Sequence, residues 1–163
     1  ESVAKVLEAT ATSLDAFASL VSGTPMNFRS AAVRPVRRIP LIGLAQAGSA
    51  GYFDDGGFPS GAGWDEISVP EIPDPNAYAL EISGDSMEPV FRDGDTIIVS
   101  PAAPIRRGDR VVVRTRGGEV MAKELLRQSA RKVELASLNP AHPNYSFDLA
   151  EITWMHRIVW ASQ

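Results

Sequence analysis

Apolar positions near the start of the chain recur at helical spacing. Val3 and Val6 share one helical face, and Leu14 and Phe17 share another. The spacing predicts two short helices within residues 1–22. Because helices this short are marginal alone in water, we expect them to be the end of a larger helical domain whose beginning is missing.

A basic stretch follows these helices. Residues 23–38 contain two prolines, four arginines and no acidic residue. This composition is typical of an extended linker. Its positive charge is compatible with contact to nucleic acid, but a solvated linker is the more common explanation.

From residue 39 onward, short apolar runs alternate with Gly, Pro and Asp. This pattern predicts strands at residues 39–44, 64–69, 78–83, 96–99, 110–115, 119–125, 132–137 and 152–160. Short strands at this spacing indicate that residues 39–163 form a mostly β, compact and antiparallel domain. The glycine-rich stretch 51–63 is predicted to be a mobile loop.

Composition narrows the classes of function. The chain has 163 residues and a net charge of -4. It contains no cysteine, and this absence excludes disulfides, thiolate chemistry and cysteine-based zinc sites. The acidic balance argues against general nucleic-acid binding by the whole chain. Without a membrane-length apolar run or a signal-peptide pattern, we expect a cytoplasmic protein. No sequence signature indicates a metal or another cofactor.

One turn carries candidate chemistry. Residues 84–89, Gly-Asp-Ser-Met-Glu-Pro, directly follow the predicted strand 78–83. At such a position Ser86 can project its hydroxyl while nearby backbone N–H groups point into the same space, which would supply a nucleophile and an oxyanion hole. The motif alone is only weak evidence for a nucleophile, because Gly-Asp-Ser is common in ordinary turns.

A serine nucleophile also needs a base. His142 lies in a proline-rich turn and His156 in the last predicted strand. Neither neighbourhood indicates a Ser-His-Asp triad, so both histidines are interpreted as structural. Lys123 is the other option, because strand alternation places it on one face with the apolar Met121 and Leu125.

The role of Lys123 depends on which face of its strand is buried. On a buried face the ammonium loses hydration, and the pKa of Lys123 falls below its usual value of ~10.4. The alternative is a surface lysine paired with Glu119 or Glu124. Without Ser86, this surface interpretation would be preferred.

Taken together, the motifs after residue 39 resemble the LexA-like self-cleaving repressors, a family that includes LexA and the phage CI repressors. Residues 40–48 (PLIGLAQAG) resemble the cleavage-site strand with its Ala-Gly bond. Residues 83–89 (SGDSMEP) resemble the nucleophile turn, followed by Asp-Gly-Asp at 93–95. Lys123, 37 positions after Ser86, resembles the catalytic lysine.

The resemblance implies a self-cleavage mechanism. Neutral Lys123 would take the proton of Ser86, whose Oγ would attack the carbonyl of Ala47. The backbone N–H groups of Asp85 and Ser86 would stabilise the oxyanion. The bond between Ala47 and Gly48 would then break within the same molecule.

The resemblance also implies partners. Residues 1–22 resemble the last helices of a phage-repressor helix-turn-helix domain, so operator DNA is expected to be bound only by the full-length parent. A homodimer through the C-terminal domain is expected, with a RecA filament as a candidate stimulator of cleavage. Tyr145, Trp154 and Trp160 are expected in the core or at the dimer interface.

Two other functions remain open at this stage. The first is a non-cleaving regulator that uses the same fold for dimerisation or sensing. The second is a signal peptidase, which has a similar Gly-Asp-Ser-Met turn but carries an apolar anchor that this sequence lacks. The loop 52–63 is longer and more glycine-rich than expected for LexA itself, which bears on how fast cleavage would run.

Overall fold

The apolar runs of the sequence form strands in the computed structural model, which describes residues 36–43, 47, 52–62, 64–70 and 72–162. These residues belong to one compact unit. The helices predicted within residues 1–22, the linker up to residue 35 and Gly48 lie outside the described residues.

Strands dominate the described part of the chain. They are β1 (Val36–Gly43), β2 (Asp65–Pro70), β3 (Tyr78–Glu81), β4 (Thr96–Ser100), β5 (Arg110–Thr115), β6 (Val120–Gln128), β7 (Lys132–Ala136), β8 (Tyr145–Asp148) and β9 (Ile152–Ala161). A short 3-10 helix, Leu149–Glu151, connects β8 to β9. None of the helices described is long and apolar enough to cross a membrane.

All nine described strands join one sheet, in the order β2-β1-β3-β4-β9-β5-β6-β7-β8. Neighbouring strands are antiparallel except β1 and β3, which run parallel. The last strand of the chain, β9, lies in the interior of the sheet between β4 and β5. The predicted mostly β, compact and antiparallel fold is confirmed, with this one parallel pair added.

The start of β1 corrects the predicted linker. Strand β1 begins at Val36, which pairs with Pro70 of β2, so residues 36–38 are strand rather than linker. The guanidinium of Arg37 donates hydrogen bonds to the backbone carbonyls of Asp74, at 3.0 Å, and Pro75. The composition gave the wrong boundary because backbone pairing with β2 does not require these side chains to be buried, and the Arg38 side chain stays 76% exposed within the strand.

The described part of the glycine-rich loop, residues 52–62, contains hydrogen bonds and one buried aromatic side chain. Over residues 52–62 it forms a hydrogen-bonded turn, in which the N–H of Asp54 donates to the carbonyl of Phe58 at 3.0 Å. Phe53 is buried, and its ring centroid lies 5.2 Å from those of Tyr78 and Trp154. The segment predicted to be a mobile loop therefore contacts the core through the side chain of Phe53.

Apolar side chains pack on both faces of the sheet. The largest cluster includes Tyr78, Leu80, Ile97 and Val112. A separate cluster, formed by Val111, Val113, Leu125, Val133 and Leu135, lies between β5, β6 and β7. The second cluster matters for the candidate site, because its β6 members lie beside Lys123 in the middle of that strand.

Candidate active site

The turn that carries Ser86 begins where β3 ends. Ile82 donates its N–H to the carbonyl of Asp95 at 2.8 Å and accepts the N–H of Gly94 at 2.9 Å. Gly84 has a φ of +87°, a conformation that favours glycine, and its N–H donates to the Asp93 carboxylate at 2.7 Å. The Asp-Gly-Asp segment therefore braces the entry to the turn.

Two apolar side chains anchor the far side of this turn. Met87 and Phe91 are both buried, and the N–H of Phe91 donates to the carbonyl of Met87 at 3.0 Å. Asp85, just before Ser86, is exposed. Ser86 lies between these two environments and is half-buried, so its hydroxyl stands at the boundary of the core and the surface.

Lys123 approaches this hydroxyl from the middle of β6. Its side chain is buried, and Nζ donates a hydrogen bond to Ser86 Oγ at 2.7 Å. Met121 and Leu125, at alternate positions of the strand, pack in the apolar cluster around Val113. The expectation that Lys123 lies on a buried face is confirmed. The alternative of a surface lysine paired with a neighbouring glutamate is wrong.

Burial also shifts the equilibrium between the charged and neutral forms of the Lys123 amine. Desolvation of the ammonium lowers the pKa of Lys123 below its ordinary value of 10.5. Within the described residues no carboxylate forms an ion pair with it. The Tyr145 ring centroid lies 5.5 Å from Nζ, a contact that attracts the cation more weakly than a carboxylate would. A larger fraction of Lys123 is therefore neutral at a given pH.

Backbone donors are available beside the hydroxyl. The N–H groups of Asp85 and Ser86 donate no hydrogen bond to any other residue that the structure describes. Ala47 is fully buried and contributes to the same core cluster as Met87. Gly48 lies outside the described residues. The arrangement offers a hydroxyl, a desolvated amine and two N–H groups that have no acceptor among the described residues, the components of acyl transfer.

Two residues after β7 also contact the turn: Asn139, which the sequence does not single out, and His142, which the sequence indicated only as a structural residue. Asn139 donates its backbone N–H to the carbonyl of Ser86 and its side-chain amide to the carbonyl of Asp85, both at 3.1 Å. His142 Nε2 lies 2.7 Å from the Asp85 carboxylate. These residues lie more than fifty positions beyond the turn, so no local pattern in the sequence indicates the contact.

The second histidine has a different setting. His156 is buried, its Nδ1 lies 3.0 Å from the Tyr78 hydroxyl, and its ring stacks on Trp154 with centroids 4.5 Å apart. Desolvation lowers the pKa of His156 to about 4, although the charge of Asp74 opposes the shift. These contacts agree with the structural role predicted for it.

The three singled-out aromatic residues have different environments. Trp154 is part of the core, as expected, whereas Trp160 is 46% exposed and Tyr145 lies at the surface above Lys123. Among the described residues there is no group of three or more histidines and carboxylates that would hold a metal ion.

Comparison with known proteins gives concordant matches. The sequence profile of the Peptidase S24-like family matches residues 40–159. Repressor protein C of Rhizobium phage 16-3 is 31% identical over 140 residues, which cover 80% of this chain and 51% of the phage protein. LexA repressor of Deinococcus radiodurans is 30% identical over 83 residues, which cover 50% of this chain and 40% of that repressor. The chain thus spans about half the length of these relatives or less.

Proposed function

The chain belongs to the Peptidase S24-like family, the family of the LexA-like repressors, and from this membership we propose that it is the self-cleaving part of a transcriptional repressor. Its reaction would be intramolecular hydrolysis of the Ala47–Gly48 bond by a Ser-Lys dyad. The cleavage would break the covalent connection between the N-terminal part of the full-length protein, up to and including β1 and Ala47, and residues 48–163.

The proposed chemistry starts with the dyad. Neutral Lys123 takes the proton of Ser86 as Oγ attacks the carbonyl carbon of Ala47, and the backbone N–H groups of Asp85 and Ser86 stabilise the oxyanion. When the tetrahedral intermediate collapses, Lys123 returns the proton to the departing amine of Gly48. Water, activated by the same lysine, then hydrolyses the ester and restores Ser86.

One observation carries this proposal: the 2.7 Å distance between Lys123 Nζ and Ser86 Oγ. This distance is within the range for direct proton transfer. A buried lysine whose pKa is lowered has a functional explanation if it must act as a base. A surface salt bridge would explain neither the burial nor the contact with a hydroxyl.

The test is the pH dependence of self-cleavage. Purified protein is incubated at about pH 7 and about pH 10, and intact mass is followed over time. We expect fragments divided between Ala47 and Gly48, with a first-order rate that rises with pH as Lys123 loses its proton. Because burial lowers the pKa of Lys123, a rate profile with further points from pH 7 to about pH 11 should reach half its maximum below pH 10.5.

Matched variants separate the dyad from general alkaline hydrolysis. Ser86→Ala should abolish cleavage, and so should Lys123→Arg, because a guanidinium keeps its proton in this pH range. Lys132→Arg, at an exposed position in the neighbouring strand β7, should cleave like the wild type. A folded wild type that remains intact at both pH values would refute spontaneous self-cleavage and favour the non-cleaving regulator.

The proposal extends to partners of the full-length protein. As part of a repressor it would act in the cytoplasm, form a homodimer through this domain and bind operator DNA through the parent's N-terminal domain. Exposed apolar residues on β9, Val159 and Trp160, support a self-association surface. A RecA filament is the proposed stimulator of cleavage, which the same mass assay tests by adding RecA, single-stranded DNA and nucleotide.

A further inference from the structure

The loop between β7 and β8, residues 137–144, contacts the turn that carries Ser86, and we refer to it as the clamp loop. We propose that Asn139 and His142 of the clamp loop are positioning residues, which fix the direction of the Ser86 backbone N–H that serves as an oxyanion donor. This inference rests on the proposed self-cleavage and assigns the clamp loop a role in that reaction.

Asn139 makes the central contacts. Its backbone N–H donates to the carbonyl of Ser86, and its side-chain amide donates to the carbonyl of Asp85, both at 3.1 Å. The same amide lies 3.5 Å from the Asp85 carboxylate. One residue therefore holds the carbonyl groups of two successive peptide units.

His142 holds the side chain of the same turn. Its Nε2 lies 2.7 Å from Oδ1 of Asp85, and both side chains are partly exposed. The backbone N–H of His142 donates to the carbonyl of Asn139 at 3.0 Å. The two contacts therefore reinforce each other through the loop.

The clamp loop is itself folded tightly enough to act as a support. The side-chain oxygen of Asn139 accepts the N–H of Ala141 at 3.0 Å, and the Ser137 hydroxyl donates to the carbonyl of Pro143 at 3.0 Å. The flanking strands β7 and β8 pair with each other. Asn139 and His142 thus project from a hydrogen-bonded loop between two paired strands.

Peptide geometry connects these contacts to the reaction. In a planar trans peptide unit, the C=O of Asp85 and the N–H of Ser86 point in opposite directions. When Asn139 holds the Asp85 carbonyl toward the clamp loop, the Ser86 N–H is directed away from it. An oxyanion donor must be held in place before reaction, so fixing this peptide plane should raise the rate of the chemical step.

The test compares variants of the clamp loop at about pH 10. Asn139→Ala should lower the first-order cleavage rate by about tenfold or more, a fraction of the 10²–10³-fold cost of removing an oxyanion donor. His142→Ala should lower it several-fold, and His142→Gln, which keeps a side-chain N–H donor, should recover part of the loss. Asn144→Ala is the control, because Asn144 is exposed and in the same loop.

Two further measurements separate positioning from a general loss of structure. The midpoint of thermal unfolding should change little, while labelling of Ser86 by a fluorophosphonate probe should slow in parallel with cleavage. In a double-mutant cycle, His142→Ala and Asp85→Ala should cost no more together than the larger single change, because both remove the contact between His142 and Asp85. Wild-type rates of cleavage and labelling in Asn139→Ala would overturn the proposal.

Hydrogen exchange distinguishes failure of the clamp from failure of the proposed function. A wild type that neither cleaves nor labels would refute the proposed reaction, and with it the catalytic role of the clamp. The contact itself is judged separately by exchange of the Asn139 backbone N–H, which donates to Ser86. Protection that is lost in His142→Ala supports the clamp, and an unprotected Asn139 amide in the wild type overturns it.

Discussion

At the scale of single residues, the same physical effect has two outcomes in this molecule. Lys123 and His156 are both buried, both contact a hydroxyl group, and desolvation lowers the pKa of each. Lys123 meets the half-buried Ser86, which remains open to a reacting group. His156 meets the buried Tyr78 and stacks on Trp154, which leaves it a structural contact.

Acid should therefore destabilise the fold through His156. Its pKa is about 4 in the folded protein and near the ordinary 6.5 in the unfolded chain, so the unfolded chain binds more protons between these values. The stabilisation is complete above pH 6.5 and is lost as pH falls toward 4, by roughly 3 kcal/mol at ~1.4 kcal/mol per pH unit. Denaturant unfolding of Ser86→Ala protein at pH 7 and pH 4.5 measures it.

The matched variant is His156→Gln in the same Ser86→Ala background. Gln cannot take up the proton, so this variant should lose clearly less stability between pH 7 and pH 4.5, even though it is less stable at pH 7. Equal losses in the two proteins would show that other groups cause the acid sensitivity.

At the scale of elements, alternation of apolar residues predicted the strands with a packed face. Strand β5 was predicted with its observed bounds, Arg110–Thr115, because its valines face the core. Strand β8 was missed: its four residues are at best half-buried, and pairing with β7 rather than an apolar pattern holds them in place. The role of the clamp loop was also missed, because the turn that it contacts lies more than fifty positions away in the sequence.

The turn over residues 52–62 also depends on tertiary contacts, through Gly57. This glycine has a φ of +79°, and a Cβ there would lie 2.5 Å from His156 Cε1 and 2.6 Å from Trp154 Cγ. Gly57→Ala should therefore force the turn away from the core and cost roughly 2 kcal/mol or more of unfolding free energy. Denaturant unfolding at pH 7 checks the value.

Gly108→Ala is the control for backbone strain alone. Gly108 has a similar φ of +84°, but a Cβ there would meet nothing within 4 Å. It should cost about 1 kcal/mol, the strain of a non-glycine residue in this conformation. If both variants lose the same stability, the close approach of Gly57 to the two aromatic rings contributes nothing.

At the scale of the whole molecule, the candidate site depends on the complete sheet. Ser86 follows β3, Lys123 lies in β6 and Asn139 follows β7, while β9, the last strand of the chain, lies between the two halves of the sheet. The sequence predicted the pairing of Ser86 with Lys123 through a family resemblance. It could not predict Asn139, because that contact requires the register of several strand pairs.

The surface of β9 provides the last prediction, which concerns the proposed homodimer. Val159 and Trp160 are 41% and 46% exposed, and they line a groove of about 580 Å³ with Pro70, Ile72 and Pro104. An exposed aromatic residue beside an apolar groove is typical of an interface anchor. Because the groove lining is mostly apolar apart from Asp74 and Ser100, and two exposed apolar residues of β9 flank it, we propose that a second copy of this face covers it.

Sedimentation equilibrium of Ser86→Ala protein should show a dimer, and Trp160→Lys should weaken it by about thirtyfold or more, the effect of losing an interface anchor worth about 2 kcal/mol. Leu149→Lys is the control: Leu149 is also exposed and apolar, at 38%, but it lies in the 3-10 helix outside the groove. The Leu149→Lys variant should dimerise as strongly as the Ser86→Ala protein. If Leu149→Lys dissociates the dimer and Trp160→Lys does not, the interface lies at the β8 end of the sheet, and the groove on β9 needs another occupant.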